Sequence, residues 1–251
     1  MTDTTYRRPI AWKSYHLTDV GCVRAANEDA LVCVPETCLW GVADGMGGHE
    51  VGDVASQKIV DSLQNLGGFQ HLSDYVDAVE NAIIETNREL VEYARRVYEN
   101  KTMGSTVVCL LIVGHVGVAL WVGDSRLYRF RNNKLSLLTR DHSQVAEMVK
   151  MGLISEAEAE HHPHRNVITR AVGVEPEVFV DINVFSAQVG DTFLLCSDGL
   201  YNSVAADVLE SKLQSRDPEE CVLGLMTEAL ENGAQDNVSI VVVKGEPGKL
   251  C

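Results

Sequence analysis

Apolar residues fall along this chain into short runs and into stretches of helical period, and the switches between them mark out its elements. Short runs rich in β-branched and aromatic residues, each closed by turn residues, predict strands at Trp12–Thr18, Ala30–Val34, Leu39–Ala43, Thr106–Ile112 and Val116–Val122. Further strands are predicted at Leu127–Arg131, Leu135–Leu138, Val178–Phe185, Thr192–Cys196 and Val238–Val243. Pro35-Glu36-Thr37 and Asn132-Asn133 supply hairpin turns. A helical period links Val79, Ile83, Thr86, Leu90, Ala94 and Val97, with charged positions between them. Gly52–Leu66, Ser143–Met151, Val204–Leu213 and Pro218–Glu231 read similarly, the last two behind caps at Ser203 and Asp217. Strands come in clusters and helices in pairs. That order excludes a doubly wound β-α-β chain and predicts an α+β fold of two antiparallel sheets face to face with helices outside.

The 251 residues show no Pro/Gly/Ser-rich linker, low-complexity stretch or fixed-period repeat, so one domain is expected across 1–251. With 45% hydrophobic residues the chain can bury a sizeable core. Only Val107–Val122 suggests a membrane span; it is shorter than the roughly 18 residues a span needs and is broken by Gly114-His115. Met1 to Tyr15 carries Arg7, Arg8 and Lys13 but no apolar core of a signal peptide. Seven cysteines without a Cys-x-x-Cys pair point to free thiols in a reducing cytoplasm rather than a zinc or disulfide framework. A formal net charge of -15 argues against a nucleic-acid surface. The expectation is a cytoplasmic monomer with neither nucleic acid nor membrane as a partner.

Charge also points to the chemistry. Carboxylates follow apolar runs at strand ends: Asp44 after Leu39–Ala43, Asp124 after Leu120-Trp121-Val122, and Asp198 after Phe193–Cys196. Any one such turn ordinarily only closes a loop. As a set they are what hard divalent cations require, since these take oxygen ligands and two of them can share a carboxylate. Like charges at about 4 Å repel by several kcal/mol at an effective dielectric of about 20, so without cations some of these acids should hold their protons more tightly than usual.

The order Arg24-x-x-Asn-Glu-Asp, Asp44-Gly-Met-Gly-Gly-His, Met103-Gly-Ser-Thr, Gly123-Asp-Ser-Arg, Arg140-Asp-His-Ser, Ser197-Asp-Gly-Leu and Asp236-Asn-Val-Ser resembles the bacterial metal-dependent (type 2C, PPM family) serine/threonine protein phosphatases. The likeness covers about residues 13–243. It implies a four-layer αββα sandwich, with two Mn²⁺ or Mg²⁺ ions at one end and a bridging hydroxide that attacks phosphoserine or phosphothreonine. By resemblance Asp44 bridges the metals, the Gly45 carbonyl binds one of them, and Asp198 and Asp236 complete the other shell. Glu28 acts through metal-bound water and Asp29 supports the cluster. Asp124 matches the position of a third, weaker metal; its own neighbours leave open that it pairs with Arg126 or closes the strand end. Arg24 matches a phosphate-binding fork, with a surface ion pair as the alternative. Residues 141–170 correspond to a flap beside the site that should tune substrate choice.

Met46 stands where many eukaryotic relatives have a histidine that protonates the leaving group, and a thioether cannot donate a proton. A metal-bound water is the expected donor, ahead of His49. His161-His162-Pro163-His164 with His142 could suggest zinc, but a cage needs three or four placed ligands, and an exposed flap fits better. No cysteine has an arginine six positions on, and no Gly-x4-Gly-Lys-Ser/Thr loop is present, so cysteine-nucleophile and nucleotide chemistry are not expected. The resemblance implies phosphoproteins as partners, including a cognate Ser/Thr kinase and its substrates. Rival functions are a phosphoprotein-binding pseudo-phosphatase and a two-metal hydrolase of nucleic acid or small phosphate esters. The intact Asp44, Asp198 and Asp236 weigh against the first.

Overall fold

The computed structural model describes residues 9–47, 51–97 and 103–248. Its elements run β1 (Ile10–Asp19), β2 (Asp29–Val34), β3 (Leu39–Met46), α1 (Gly52–Gln64), α2 (Leu72–Val97), β4 (Gly104–Ser105), β5 (Val107–Val113), β6 (Val116–Val122), β7 (Arg126–Arg131) and β8 (Lys134–Leu137). There follow α3 (Gln144–Lys150), α4 (Glu156–Glu160), β9 (Asp181–Ser186), β10 (Thr192–Cys196), α5 (Asp198–Ser203), α6 (Ala206–Lys212), α7 (Pro218–Glu231) and β11 (Val238–Pro247). One sheet has the order β1-β11-β10-β7-β8 and the other β2-β3-β5-β6-β9, with β4 paired to β3; the strand pairs are antiparallel.

Three apolar layers hold the sandwich together, one for each interface. Trp40, Val108, Leu110, Trp121, Leu127, Phe193, Leu195 and Val241 fill the space between the sheets. On one outer face α1 and α2 bury Ile59, Leu63, Val79, Ile83 and Leu90 against Leu39, Leu111 and Leu120. On the other, α5 to α7 bury Leu200, Leu209, Val222 and Leu225 against Leu194, Ile240 and Val242. Strand alternation explains the division, because successive side chains face opposite sides of a sheet. The four-layer αββα arrangement follows.

Most of the turns behave as their residues dictate. Asn132 and Asn133 both take positive φ, 53° and 57°, as a two-residue hairpin turn of primed type requires. Asp217 caps α7 by accepting from the Glu219 N–H, with Pro218 as the first helical residue. Three expectations need correction. Ser203 is not a cap: it ends α5, and α6 starts behind Ala205, without a side-chain cap. The Ser197-Asp198-Gly199 turn is the start of that unforeseen helix, with Ser197 at its N-cap. The strand predicted from Val178 begins only at Asp181, because Val178 and Val180 pack under α2 without ladder partners. The six described cysteines are free thiols. Among the described residues no helix is long and apolar enough to cross a membrane. Gly48, His49 and Cys251 lie outside the described residues.

Candidate active site

The register brings the acid-bearing strand ends together. Asp29 at the start of β2 lies directly opposite Asp44 near the end of β3. In the other sheet Cys196 pairs with Ile240, so Asp198 follows β10 at the same end where Asp236 precedes β11. The two sheets are stitched together here: the Ser197 hydroxyl donates to Asp29 Oδ2 at 2.8 Å, and the Glu28 N–H donates to Asn237 Oδ1 at 2.8 Å. Each sheet thus contributes carboxylates to one cleft.

Asp44 is held through its backbone. Its carbonyl accepts from the Ser105 hydroxyl and the Thr106 N–H, both at 2.9 Å, and its N–H donates to Thr106 Oγ1 at 3.3 Å. The Met103-Gly-Ser-Thr segment therefore fixes the aspartate and leaves the carboxylate unconstrained by it. Gly45 follows in a space that admits no side chain: a Cβ there would stand 2.1 Å from the Gly52 carbonyl oxygen and 2.5 Å from that of Glu28. The same packing sets the Glu28 carboxylate against Gly52 at the start of α1.

The electrostatics follow from this crowding. Asp44 keeps part of its surface open to the cleft, yet burial drives its carboxyl well above the ordinary range, and the charges of Asp29, Asp198, Asp124 and Asp236 add to the shift. Burial likewise pushes Asp29 up to about 7, opposed by hydrogen bonds from Ser239 and Ser197 and reinforced by Asp198 and Asp236. Asp124 is raised to about 7 by burial and then by Asp198 and Asp141. Asp198 is raised to about 6 by burial and by Asp236, with Arg24 and Arg126 pulling the other way. Among the described residues none of Asp29, Asp44, Asp124 and Asp198 has a Lys or Arg ion-pair partner. Arg24 is paired, through Nη2, with Asp236 Oδ2 at 2.7 Å. Arg126 is not the partner of Asp124: it forks onto Asp141.

A cluster of repelling carboxylates with a tightly packed glycine beside it suits hard cations that bind oxygen. Among the described residues no three His, Cys, Asp or Glu side chains converge tightly enough to cage an ion unaided. Oxygen donors of this kind suit Mg²⁺-like ions, which retain part of their water shell, better than zinc, whose cages are built from Cys and His. Among the described residues the histidines form no cage either. His142 is buried, with Nδ1 accepting from the Gly123 N–H at 3.0 Å and Nε2 beside Asp181 at 3.3 Å, whereas His164 bonds to Gln144 on the exposed limb.

Several residues of the site carry no chemistry that a sequence pattern would flag. Asn237 is buried and bonds three points of one loop, accepting from Glu28 N–H and donating to the carbonyls of Val20 and Ala26 at 2.9 and 3.0 Å. It holds the loop that carries Arg24 and Glu28. Ser197 links Asp29 to the Ser239 N–H, and Tyr201 donates to the Asp124 carbonyl at 3.2 Å. Asn237 and Ser197 lie inside the Asp236-Asn-Val-Ser and Ser197-Asp-Gly-Leu motifs, which the acids dominate, and Tyr201 lies just beyond the second.

The family sequence model described as Protein phosphatase 2C matches residues 23–231. The chain belongs to the protein phosphatase 2C family. A serine/threonine phosphatase stp of Listeria monocytogenes is 37% identical over 235 residues, spanning 90% of this chain and 93% of that protein. Serine/threonine protein phosphatase PstP of Mycobacterium tuberculosis is 34% identical over 90% of this chain, which spans 43% of PstP's length. Among solved family members, PppA, described as a key regulatory component of T6SS in Pseudomonas aeruginosa, superposes with a TM-score of 0.88 at 38% identity, covering 95% of this chain and 100% of that one. The catalytic domain of PstP in complex with two manganese ions superposes with a TM-score of 0.82 at 31% identity, over 94% of this chain and 99% of that one. The phosphatase 2C fold and the sandwich of the present chain are thus the same architecture.

Proposed function

We propose that this protein is a metal-dependent serine/threonine phosphatase that releases phosphate from phosphoserine and phosphothreonine in proteins. The observation that carries the reading is the pairing of Asp29 opposite Asp44, with Asp29 bonded to Ser197 beside Asp198, while burial and the neighbouring acids raise the Asp44 carboxyl. Such a cluster is relieved by divalent cations, and the manganese complex of PstP supports Mn²⁺ or Mg²⁺ as the ions. Asp44, the Gly45 carbonyl, Asp198 and Asp236 would hold two of them, with Glu28 and Asp29 supporting and Asp124 available to a third. The ions would supply an activated water nucleophile and neutralise charge on the phosphoryl oxygens.

The chain's own residues do the rest. Arg24 stands half exposed at the cleft, where its planar fork can leave Asp236 for two phosphoryl oxygens. Asn237 keeps the Arg24–Glu28 loop in register with β11. Met46 offers no proton, so protonation of the leaving serine or threonine oxygen falls to water in the cleft. One catalytic domain over 1–251 with its core at about 13–243, a flap at 141–170, a monomeric state and a cytoplasmic setting complete the proposal. Its partners are phosphoproteins, among them a cognate Ser/Thr kinase and that kinase's substrates.

The test is phosphate release from a phosphothreonine peptide with Mn²⁺ and with chelator, for the native chain and for Asp44→Asn and Asp198→Asn. Metal-dependent turnover that both substitutions abolish is the expected result. A native chain that binds the phosphopeptide but never turns it over would favour the pseudo-phosphatase instead.

A further inference from the structure

Arg126 is the cation nearest in sequence to Asp124, and the structure turns it away. Its Nε and Nη2 fork onto Asp141, with contacts of 3.1, 3.2 and 2.7 Å, and its Nη1 donates to the Tyr128 hydroxyl at 2.9 Å. The guanidinium lies 3.7 Å above the centre of the Tyr201 ring. Asp141 opens the 141–170 excursion, whose limbs are joined by the Ser143–Ile168 bridge and the Thr169 N–H to His142 carbonyl bond. The residue after Asp141 is clamped to the Asp124 turn: His142 N–H donates to the Gly123 carbonyl at 2.9 Å, and Gly123 N–H donates to His142 Nδ1 at 3.0 Å. A shift of the flap root therefore disturbs the fork and the Asp124 turn together.

The alternative partner is close at hand. Arg126 stands two residues from Asp124, and Ser125 between them is anchored by its bond to Thr106 Oγ1 at 2.7 Å. An aromatic face holds a cation without fixing the direction of its donors. Tyr201 can thus support the guanidinium in either orientation. Tyr201 also donates to the Asp124 carbonyl and sits on α5, whose first residue is Asp198.

We infer that the Asp141–Arg126 fork decides whether Asp124 is open to a cation: while Asp141 holds the guanidinium, Asp124 is left to a divalent ion, and when the fork opens Arg126 takes the ion's place. Arg126 is then an internal competitor held in check by the root of the flap, and flap position and cation occupancy are coupled through it. Reciprocity follows, because a cation bound at Asp124 repels the guanidinium back onto Asp141. The inference rests on the metal-dependent reading above.

The experiment is calorimetric titration of this chain with Mn²⁺, independent of turnover. Asp141→Asn keeps the side chain's shape and removes its charge. It should weaken the weakest class of Mn²⁺ site by about tenfold or more, and adding Arg126→Gln should bring affinity back to within about threefold of native. Asp141→Glu, which retains the charge, should bind like native. Unchanged affinity in Asp141→Asn, or a double variant as weak as the single one, would show the fork to be only a structural tie and overturn the inference. A native chain that takes up no Mn²⁺ at any site would overturn the metal-dependent reading, and this inference with it. Thermal unfolding in chelator confirms that each variant is folded before titration.

Discussion

Arg24 and Asp236 meet in a 2.7 Å ion pair at the mouth of the carboxylate cleft, joining the expected phosphate fork to an expected metal ligand. Their side chains are 49% and 36% exposed, so the pair contributes only about 0–1 kcal/mol to stability. Its value lies in keeping the guanidinium at the cleft. Arg24→Ala should leave the melting temperature within about 2 °C of native while raising KM for a phosphopeptide by roughly tenfold or more. Arg24→Lys should recover only part of the loss, since an ammonium cannot make the planar fork. An unchanged KM in steady-state assays of Arg24→Ala would remove the residue from phosphate binding.

Burial and mutual repulsion make the metal-free cleft sensitive to pH. Asp29 and Asp124 are raised to about 7 and Asp198 to about 6, against an ordinary aspartate near 3.9. Between about pH 4 and 7 the folded chain therefore binds more protons here than the unfolded chain does, and stability must fall as pH rises through that window. The slope is up to about 1.4 kcal/mol per pH unit for each group. Thermal unfolding in chelator should show the melting temperature declining from pH 4.5 to about 7, and Mn²⁺ should suppress the decline. A rise across that window in chelator would contradict the cluster.

Asp44→Asn separates stability from function. Replacing a carboxyl that burial and four acids force to keep its proton should raise the chelated protein's melting temperature by roughly 2–4 °C, the equivalent of about 1 kcal/mol in a domain of this size. The same change should abolish metal-dependent turnover. Paired melting and activity measurements check both halves.

Asn237→Ala leaves the Glu28 N–H and the carbonyls of Val20 and Ala26 without their side-chain partner in a buried place. A cost of about 2–3 kcal/mol in denaturant unfolding is expected, with turnover reduced through a loosened Arg24–Glu28 loop. A neutral substitution would mean that water replaces all three bonds.

Gly45→Ala places a methyl 2.1 Å from the Gly52 carbonyl oxygen, which is backbone and cannot swing aside. Overpacking of this kind costs about 1–3 kcal/mol, and the displaced β3 end should lose Mn²⁺ affinity as well. Calorimetry of the purified variant measures the second effect directly.

Local pattern carried the sequence a long way. Apolar runs closed by turn residues set the strands, the period of three and four set α2 and α7, and turn chemistry set the Asn132-Asn133 hairpin and the Asp217 cap. It even delivered the acids, because a carboxylate directly after a buried apolar run must emerge at the end of the sheet. Local pattern failed where two readings used the same residues. Ser203 has cap chemistry but ends a helix whose first turn is Asp198-Gly199-Leu200, and Val178 has strand chemistry but packs without a ladder.

What the sequence alone determined was therefore most of the strands, the longer helices and the roster of carboxylates, all of which follow from backbone geometry over a few residues; the short α4 and α5 escaped it. The tertiary structure decided who meets whom: Arg126 with Asp141 rather than Asp124, Arg24 with Asp236, and Asn237 with a loop more than two hundred residues away. Those pairings depend on how two sheets pack face to face, and packing is fixed by the sum of many weak apolar contacts that no local period records.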